Sequence, residues 1–573
     1  MDAAPTVLLY PRTVRPGREW LFGRVSQLGF TLGLVMLWVA LSPSLLPRTW
    51  WMTTVGVGFS IAYGYLVGSL LGRVSGLLAR LIGLQVRVSP RAERVLTVAW
   101  DVLLVGVSGV VWWWSVRQQA SNADLVGLDT GGNAGMAVGV AGGLGLGVLL
   151  VLGVRLVGSL WKQLARLGRR WLPGVVASTV AAVLLLVGIV WVSEGLVYRQ
   201  AVNAALGSAA RLNAETPQGR VAPSQAERSG SPQSTQAWAD LGRDGQAMVA
   251  DGPRAADIAR VTGAQAREPI RLYAGKQDND TIEAAVAAVM REIDRTAALD
   301  RSVVHVITST GTGYVQEWSV ASLEYLTGGD VATVSMQYSF FSSALAYATD
   351  RDSPPEAGRA LFEAVEARVE ALPEGRRPRV VVSGESLGSY GGQGAFSSAQ
   401  DMLDRVDGAL WSGTPSFTPV WSELTAGRQP GSPQIAPVVD NGRHVRFVTR
   451  PAELGQDFYG GPYVAWEEPR VVYAQHASDP IVWWDPTLLW HEPDWMRERA
   501  GRDVPAALTW QPWVSFWQIG MDMPLSVSTP GGHGHHYFRE MVPYWAAVLG
   551  QDDLPASYLE AVADAVAAGV RER

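Results

Sequence analysis

The stretch RVVVSGESLGSYGG, residues 379–392, decides how the second half of this 573-residue chain is read. It opens on Arg379-Val380-Val381-Val382, a β-branched run of the kind that forms a buried strand. A Gly- and Ser-rich segment able to begin a helix follows. Between the two stands Gly384-x-Ser386-x-Gly388. In a chain with 62 glycines that pentapeptide arises easily by chance, so its worth lies in what flanks it. Strand, sharp turn and helix form the frame that lifts a serine hydroxyl clear of a sheet edge while small neighbours avoid clashes. Ser386 is therefore the candidate nucleophile.

Working outward, the same alternation recurs. Strands are predicted at PIRLYAG (269–275), SVVHVIT (302–308) and VATVSMQYS (331–339), with amphipathic helical runs between them. Further strands are predicted at DGALWSG (407–413), RHVRFVT (443–449) and RVVYAQ (470–475). Strand alternating with helix implies a mainly parallel sheet covered on both faces, with active groups at the strands' C-terminal ends.

A serine nucleophile on such a sheet needs an acid and then a histidine, in that chain order. Asp479 ends the short loop after the strand at 470–475, although an Asx-turn or helix cap uses an Asp-Pro in the same way. Asp485, Glu492 and Asp494 lie farther from the strand end. STPGGHGHHYFREMVPYWAAVLG supplies the histidine ahead of a last helix. His533 and His535 both follow a glycine; His535 is slightly favoured, with the other bonding nearby or touching substrate. A metal site is not expected, because no Asp, Glu or His partner at helical spacing accompanies the cluster, and no cofactor motif is present. One oxyanion-hole donor is the N–H of Leu387; the other is expected from TSTGTGY (308–314), at Gly311 and Thr312. These elements, in the required order, predict an α/β-hydrolase fold with Ser386, Asp479 and a histidine as its triad.

Composition bounds the rest. The absence of cysteine excludes disulfides and thiolate metal sites, and a net charge of -6 carries no nucleic-acid footprint. The first 200 residues are mostly apolar. Five segments are long enough to span hydrocarbon: Gly29–Pro47, Trp51–Gly72, Val95–Val116, Asn133–Val154 and Gly174–Val197. Arginine clusters at Arg12, Arg15, Arg18 and Arg24, at Arg73 to Arg94, and at Arg155 to Arg170 alternate with connections holding only Arg48 and Arg117. That places the N-terminus in the cytoplasm and everything after the fifth span outside it, in a multi-pass protein of the cell membrane. Gly135, Gly139, Gly143 and Gly147 form a smooth helix face, for packing within the bundle or for a homo-oligomer. Asp101 reads as a structural carboxylate or, less simply, as part of a proton path.

The expected organisation is a membrane domain over 1–200, a mostly irregular membrane-proximal linker over 201–265 and a catalytic domain over 266–573. Within the last, an insertion at about 483–523 carries Trp483, Trp484, Trp513 and Trp517 and is expected to be a lid lining an acyl groove. A packed cap whose tryptophans fill its own core is the competing reading.

MVADGPRAADIARVTG, EPIRLYAG, DRSVVHVITSTGTGYV, GESLGSYGG and PGGHGHHY together resemble a family of actinobacterial membrane-anchored α/β-hydrolases, in which a multi-pass N-terminal domain is fused to a catalytic domain. The resemblance runs over nearly the whole chain. It implies a serine-hydrolase triad on Ser386, Asp479 and a histidine of the Gly-His-Gly-His pair, and no substrate beyond ester or acyl transfer. The expected function is a serine esterase or lipase acting on lipid or other acyl esters at the membrane. An envelope-lipid acyltransferase would use the same triad. In a reading from another class, the spans form a transport or sensory module with a degenerate hydrolase domain.

Overall fold

Seven short apolar runs become the strands of one parallel sheet: β1 (Ile270–Ala274), β2 (Val303–Thr308), β3 (Val331–Met336), β4 (Arg379–Glu385), β5 (Gly408–Ser412), β6 (Val445–Val448) and β7 (Arg470–Ala474). The computed structural model describes residues 26–83, 89–128, 131–193, 199–341 and 343–571. Strand order is β1-β3-β2-β4-β5-β7-β6, so β4 lies at the centre, with Gly384 beside Thr308 on one side and Trp411 on the other. Helices cover both faces, and the strands are buried almost throughout. Burial on both faces explains the continuous Val/Ile runs that made the strands readable.

The chain divides into two compact units. One comprises the described residues up to Arg199 with Pro486–Arg497 and Val504–Leu525; the other comprises Gln200–Asp485, Glu498–Asp503 and Ser526 onward.

The sheet unit absorbs residues 201–265, which the sequence reading leaves as a linker. They carry three helices, Arg199–Asn213, Gly242–Ala250 and Ala255–Thr262. The Arg228 side chain is fully buried and donates to Val249 O, Asp251 O and Pro253 O at 2.9, 2.6 and 2.9 Å. Glu292 accepts from Ser229, Ser234 and Thr235. A polar segment packs here because its polar groups find partners, where an apolar one would use area.

In the other unit, five helices precede Arg199: α1 (Gln27–Ala40), α2 (Trp50–Leu81), α3 (Pro90–Val126), α4 (Gly132–Gly168) and α5 (Gly174–Trp191). Among the described residues, α2 to α5 are long and apolar enough to cross a membrane. The expected first span, Gly29–Pro47, is corrected. α1 has 14 residues, about 21 Å at 1.5 Å per residue against about 30 Å of hydrocarbon. Pro43 and Pro47 prevent its continuation. The turn after it is buried and tied to α3: Ser115 Oγ donates to Leu41 O at 2.7 Å, Asn122 Nδ2 to Ser44 O at 3.1 Å, and the Arg48 N–H to Gln119 Oε1 at 2.8 Å. Arg12, Arg15, Arg18, Arg24 and Arg87 lie outside the described residues.

Gly139, Gly143 and Gly147 lie against α2. A Cβ at Gly139 would stand 2.6 Å from Thr53 Cβ, and one at Gly143 2.6 Å from Val57 Cγ1. Packing within the bundle fills that face, and Gly135 alone of the four has open space around it. Asp101 is on an exposed face of α3.

The tryptophan-rich insertion does not form a lid of its own. Most of 486–525 belongs to the helical unit. Trp517 stacks on Phe59 of α2 at 4.1 Å and 13°, and Trp513 on Tyr63 at 4.5 Å and 14°. Gln518 Nε2 donates to Ala40 O and Ser42 O at 3.2 and 3.1 Å, and Asp522 Oδ2 accepts from Ser44 Oγ and from the Leu46 N–H. These two indoles lie against a helix.

Replacing Trp513 and Trp517 together by Ala is therefore predicted to loosen the helical unit. Both indoles are half-buried, so the loss is about 1–3 kcal/mol each, below the cost of removing a fully buried indole. Thermal unfolding and limited proteolysis in detergent will register it as a lower transition and faster cleavage between residues 486 and 525. Unaltered stability would count against this packing.

Candidate active site

Ser386 occupies the turn between β4 and the helix Leu387–Gln393, at φ 57° and ψ -125°. Holding a non-glycine residue in that region costs on the order of 1–3 kcal/mol and persists only where the surroundings enforce it. They do. The Ser386 N–H donates to Ser412 O of β5 at 3.0 Å, and the Tyr390 N–H donates to Ser386 O at 3.1 Å. A Cβ at Gly384 would lie 2.4 Å from Gly388 O, and one at Gly388 would lie 2.4 Å from Thr308 O. Only glycine lets the strand end, the helix start and the end of β2 approach so closely.

Beneath the turn, His305 of β2 joins Ser383 of β4 through Nε2 at 2.7 Å and Thr333 of β3 through Nδ1 at 3.3 Å. Burial, with Arg271 adding to it, drives this histidine down to about 3, so it is a neutral structural link.

Asp479 is fully buried just after β7. Its Oδ1 accepts the Ile481 N–H at 2.9 Å, capping the turn Pro480–Trp483. Its Oδ2 accepts His535 Nδ1–H at 2.6 Å and the Tyr537 hydroxyl at 2.8 Å. One oxygen thus caps the turn, and the other meets His535 and Tyr537.

His535 is the histidine that meets the acid. Gly534, at φ 54°, turns the chain, and the His535 N–H donates to Ser526 O at 3.0 Å. His535 is buried, and burial alone would pull its pKa down. The Asp479 carboxylate, its hydrogen bond and Glu385 outweigh that and hold it above the ordinary histidine value. Among the described residues Nε2 makes no hydrogen bond, and it stands 3.7 Å from Oε1 of Glu385, the residue preceding Ser386. The nitrogen that faces the end of β4 is the one a general base needs. His533 goes elsewhere, with Nδ1 3.9 Å from Asp503 Oδ2.

The expected oxyanion element is divided. Leu387 begins the helix, so its N–H has no intrahelical acceptor. Thr312 donates its hydroxyl to Asp244 Oδ2 at 2.5 Å and offers its carbonyl to Gln337 Nε2 at 2.8 Å. The part of that loop brought to the elbow is its start, Thr308 and Ser309, which a Cβ at Gly388 would strike. The contacts that Thr312 makes are with Asp244 and Gln337. Trp483 is buried below the acid loop, donating to His476 O at 3.0 Å, edge-on to Trp421. Trp484 is half-buried beside it.

Three residues at the site escaped the sequence reading. Tyr537 shares Asp479 Oδ2 with the histidine. His476 stacks on Tyr537 at 4.4 Å and 9°, and its Nδ1–H donates to Gly534 O at 2.9 Å. Burial opposes its charge, but Glu540, 3.4 Å from Nε2, lifts it to about 8. Asp503 accepts from Ser478 Oγ, which in turn accepts the Gly534 N–H at 2.8 Å. The signal for Tyr537 was its place two residues after His535; nothing local marks the other two.

A model of the alpha/beta-hydrolase family matches residues 270–562, and a model of that family's N-terminal region matches residues 41–253. The chain belongs to the alpha/beta-hydrolase family. None of the curated proteins compared with it matches. Among solved structures it is similar to a Trichoderma reesei cutinase in complex with a C11Y4 phosphonate inhibitor. That match has 15% identity over 43% of this chain and 90% of that one, with a TM-score of 0.18, a likeness too distant to bear on chemistry.

In this α/β-hydrolase, His535→Gln is predicted to lower ester turnover by about three orders of magnitude or more, while His533→Gln leaves most of it. A general base works as the neutral imidazole, so with His535 in that role kcat/KM is predicted to rise with pH through a midpoint above 6.5, the ordinary value. Asp479→Asn should move whatever activity remains to a lower midpoint. A pH–rate profile that leaves the midpoint in place would break the assignment.

Proposed function

We propose that this chain is a membrane-anchored serine esterase working through an acyl-enzyme on carboxylic esters at the outer face of the membrane. The observation that carries the reading is the His535–Asp479 pair, at the C-terminal edge of the sheet that holds Ser386 on its strained turn. Ser386 Oγ attacks the ester carbonyl carbon as its proton passes to His535 Nε2. Asp479 keeps Nδ1–H oriented and stabilises the imidazolium, and the Leu387 N–H faces the developing oxyanion. Collapse of the tetrahedral intermediate breaks the carbon–oxygen bond, and the alcohol departs with the proton from Nε2. Water then repeats the cycle, releasing the acid and the free serine.

The location rests on charge. Arg73 and Arg80 at the end of α2, and Arg155 to Arg170 in and after α4, mark one side of the bilayer as cytoplasmic. With α2 to α5 crossing four times, the sheet unit that follows α5 lies on the opposite side. α1 does not enter that count, so the start of α2 falls on the outer side as well, and the cytoplasmic N-terminus expected from five spans does not follow from four.

Two experiments test this. A fluorophosphonate probe, which needs an activated serine and no knowledge of substrate, should label the wild type and fail on Ser386→Ala expressed at the same level. Labelling of the variant at the wild-type rate would overturn the nucleophile. A reporter active only outside the cytoplasm should work when fused after residue 200 and be silent when fused near Gly83; the reverse pattern would refute the outer-face assignment.

A further inference from the structure

With Trp513 and Trp517 laid on α2, the acyl-binding surface has to be sought elsewhere, and the sheet unit holds one. Leu387, the residue after the nucleophile, is buried in an apolar cluster with Phe341 and Ala346, against which Leu345, Tyr347 and Tyr390 pack half-buried. Tyr347 sits on the helix Ser343–Thr349 that follows β3. Its ring stacks on Phe417 at 4.4 Å and 20°, and Tyr390 meets Phe417 nearly edge-on at 5.4 Å and 72°. Phe417 comes from the loop after β5, which starts at Gly413, where a Cβ would stand 2.4 Å from His535 Cε1. Loops leaving β3 and β5, on either side of β4, thus raise one continuous aromatic surface beside Ser386.

The surface is held rigid. The Arg351 guanidinium lies 4.4 Å from the centre of the Tyr347 ring, and the Tyr390 hydroxyl donates to Arg351 O at 3.2 Å. Yet Tyr347, Tyr390 and Phe417 remain partly exposed, unlike the rings that fill the core of this unit. Rigid aromatic faces left open next to a reacting group are suited to binding an apolar chain at little entropic cost.

We propose that the Leu345–Tyr347–Tyr390–Phe417 surface binds the acyl chain of the substrate, and that this enzyme selects medium to long unbranched acyl esters over acetyl esters. The inference rests on the serine-esterase reading. Direction follows from the chemistry. The leaving alcohol must lie within reach of His535 Nε2 to receive its proton, whereas the carbonyl oxygen faces the Leu387 N–H. The acyl chain therefore extends past Leu387, over the cluster that Leu387 joins. Each methylene laid on such a surface raises specificity by about fourfold, so three or four of them separate long from short esters by about a hundredfold.

The test compares kcat/KM for p-nitrophenyl decanoate and p-nitrophenyl acetate on the full chain in one detergent, with fluorophosphonate labelling measured alongside. Phe417→Ala and Tyr347→Ala should each lower the decanoate-to-acetate ratio by about tenfold or more. Leu345→Trp, which fills the surface and opens no cavity, should lower the same ratio and decides the matter if the alanine variants do not fold. A ratio within about twofold of wild type in variants that still label would overturn the acyl assignment and leave the esterase standing. A wild type that neither labels nor cleaves either ester would remove the esterase reading and the acyl surface with it.

Discussion

One buried carboxylate organises the C-terminal part of the sheet unit. Asp479 has no contact with solvent and satisfies its acceptors with an imidazole N–H, a phenol and a backbone amide. A charge so placed is tolerable only while those donors stay. The donors lie on two stretches: Ile481 on the turn that Asp479 begins, His535 and Tyr537 on the loop before the final helices. The His476–Tyr537 stack and the Ser478–Gly534 hydrogen bond hold the same loop from the strand side. The His535 imidazole is consequently positioned by the acid loop as much as by its own backbone.

A second constraint acts at the other end of the reaction. Ser386, the candidate nucleophile, is held in a backbone conformation that a serine would leave if the turn relaxed, and the restraint comes from three strands at once. β5 holds the Ser386 amide, β2 crowds Gly388, and β4 carries the turn on a sheet that the neutral His305 links across β2, β3 and β4. Strain at Ser386 and the buried carboxylate of Asp479 both belong to the candidate site, where departures from ordinary stability rules are expected.

How much of this was legible follows from what each signal measures. Strands buried on both faces write their burial as short apolar runs, β-branched in most but not in β5, so all seven could be read. The elbow was readable because strand, turn and helix had to coincide with Gly384 and Gly388. Asp479 was readable from its place after a strand. The choice between His533 and His535 was not, because both follow glycine and the answer lies in the left-handed turn at Gly534. α1 was overread because apolar composition continues through Pro43 and Pro47, where the helix cannot. Residues 201–265 were underread because Arg228 and the serines around Glu292 are polar side chains with buried partners. The indoles at 513 and 517 signalled burial; composition could not say against what.

The threading of the helical unit bears on how the protein is made. Its last pieces, Pro486–Arg497 and Val504–Leu525, are encoded roughly 300 residues after α5. At ordinary elongation rates that separation is on the order of 15 to 60 seconds. Through that interval α2 has been synthesised but lacks the indoles that later cover Phe59 and Tyr63, and the buried turn at Ser44 lacks Asp522. Biogenesis therefore runs in a loop: the helices emerge first, the sheet is threaded second, and only the end of translation completes what the beginning started. A chain stopped after residue 200 would be an unfinished assembly with its aromatic face uncovered, a species that membrane quality control is equipped to remove.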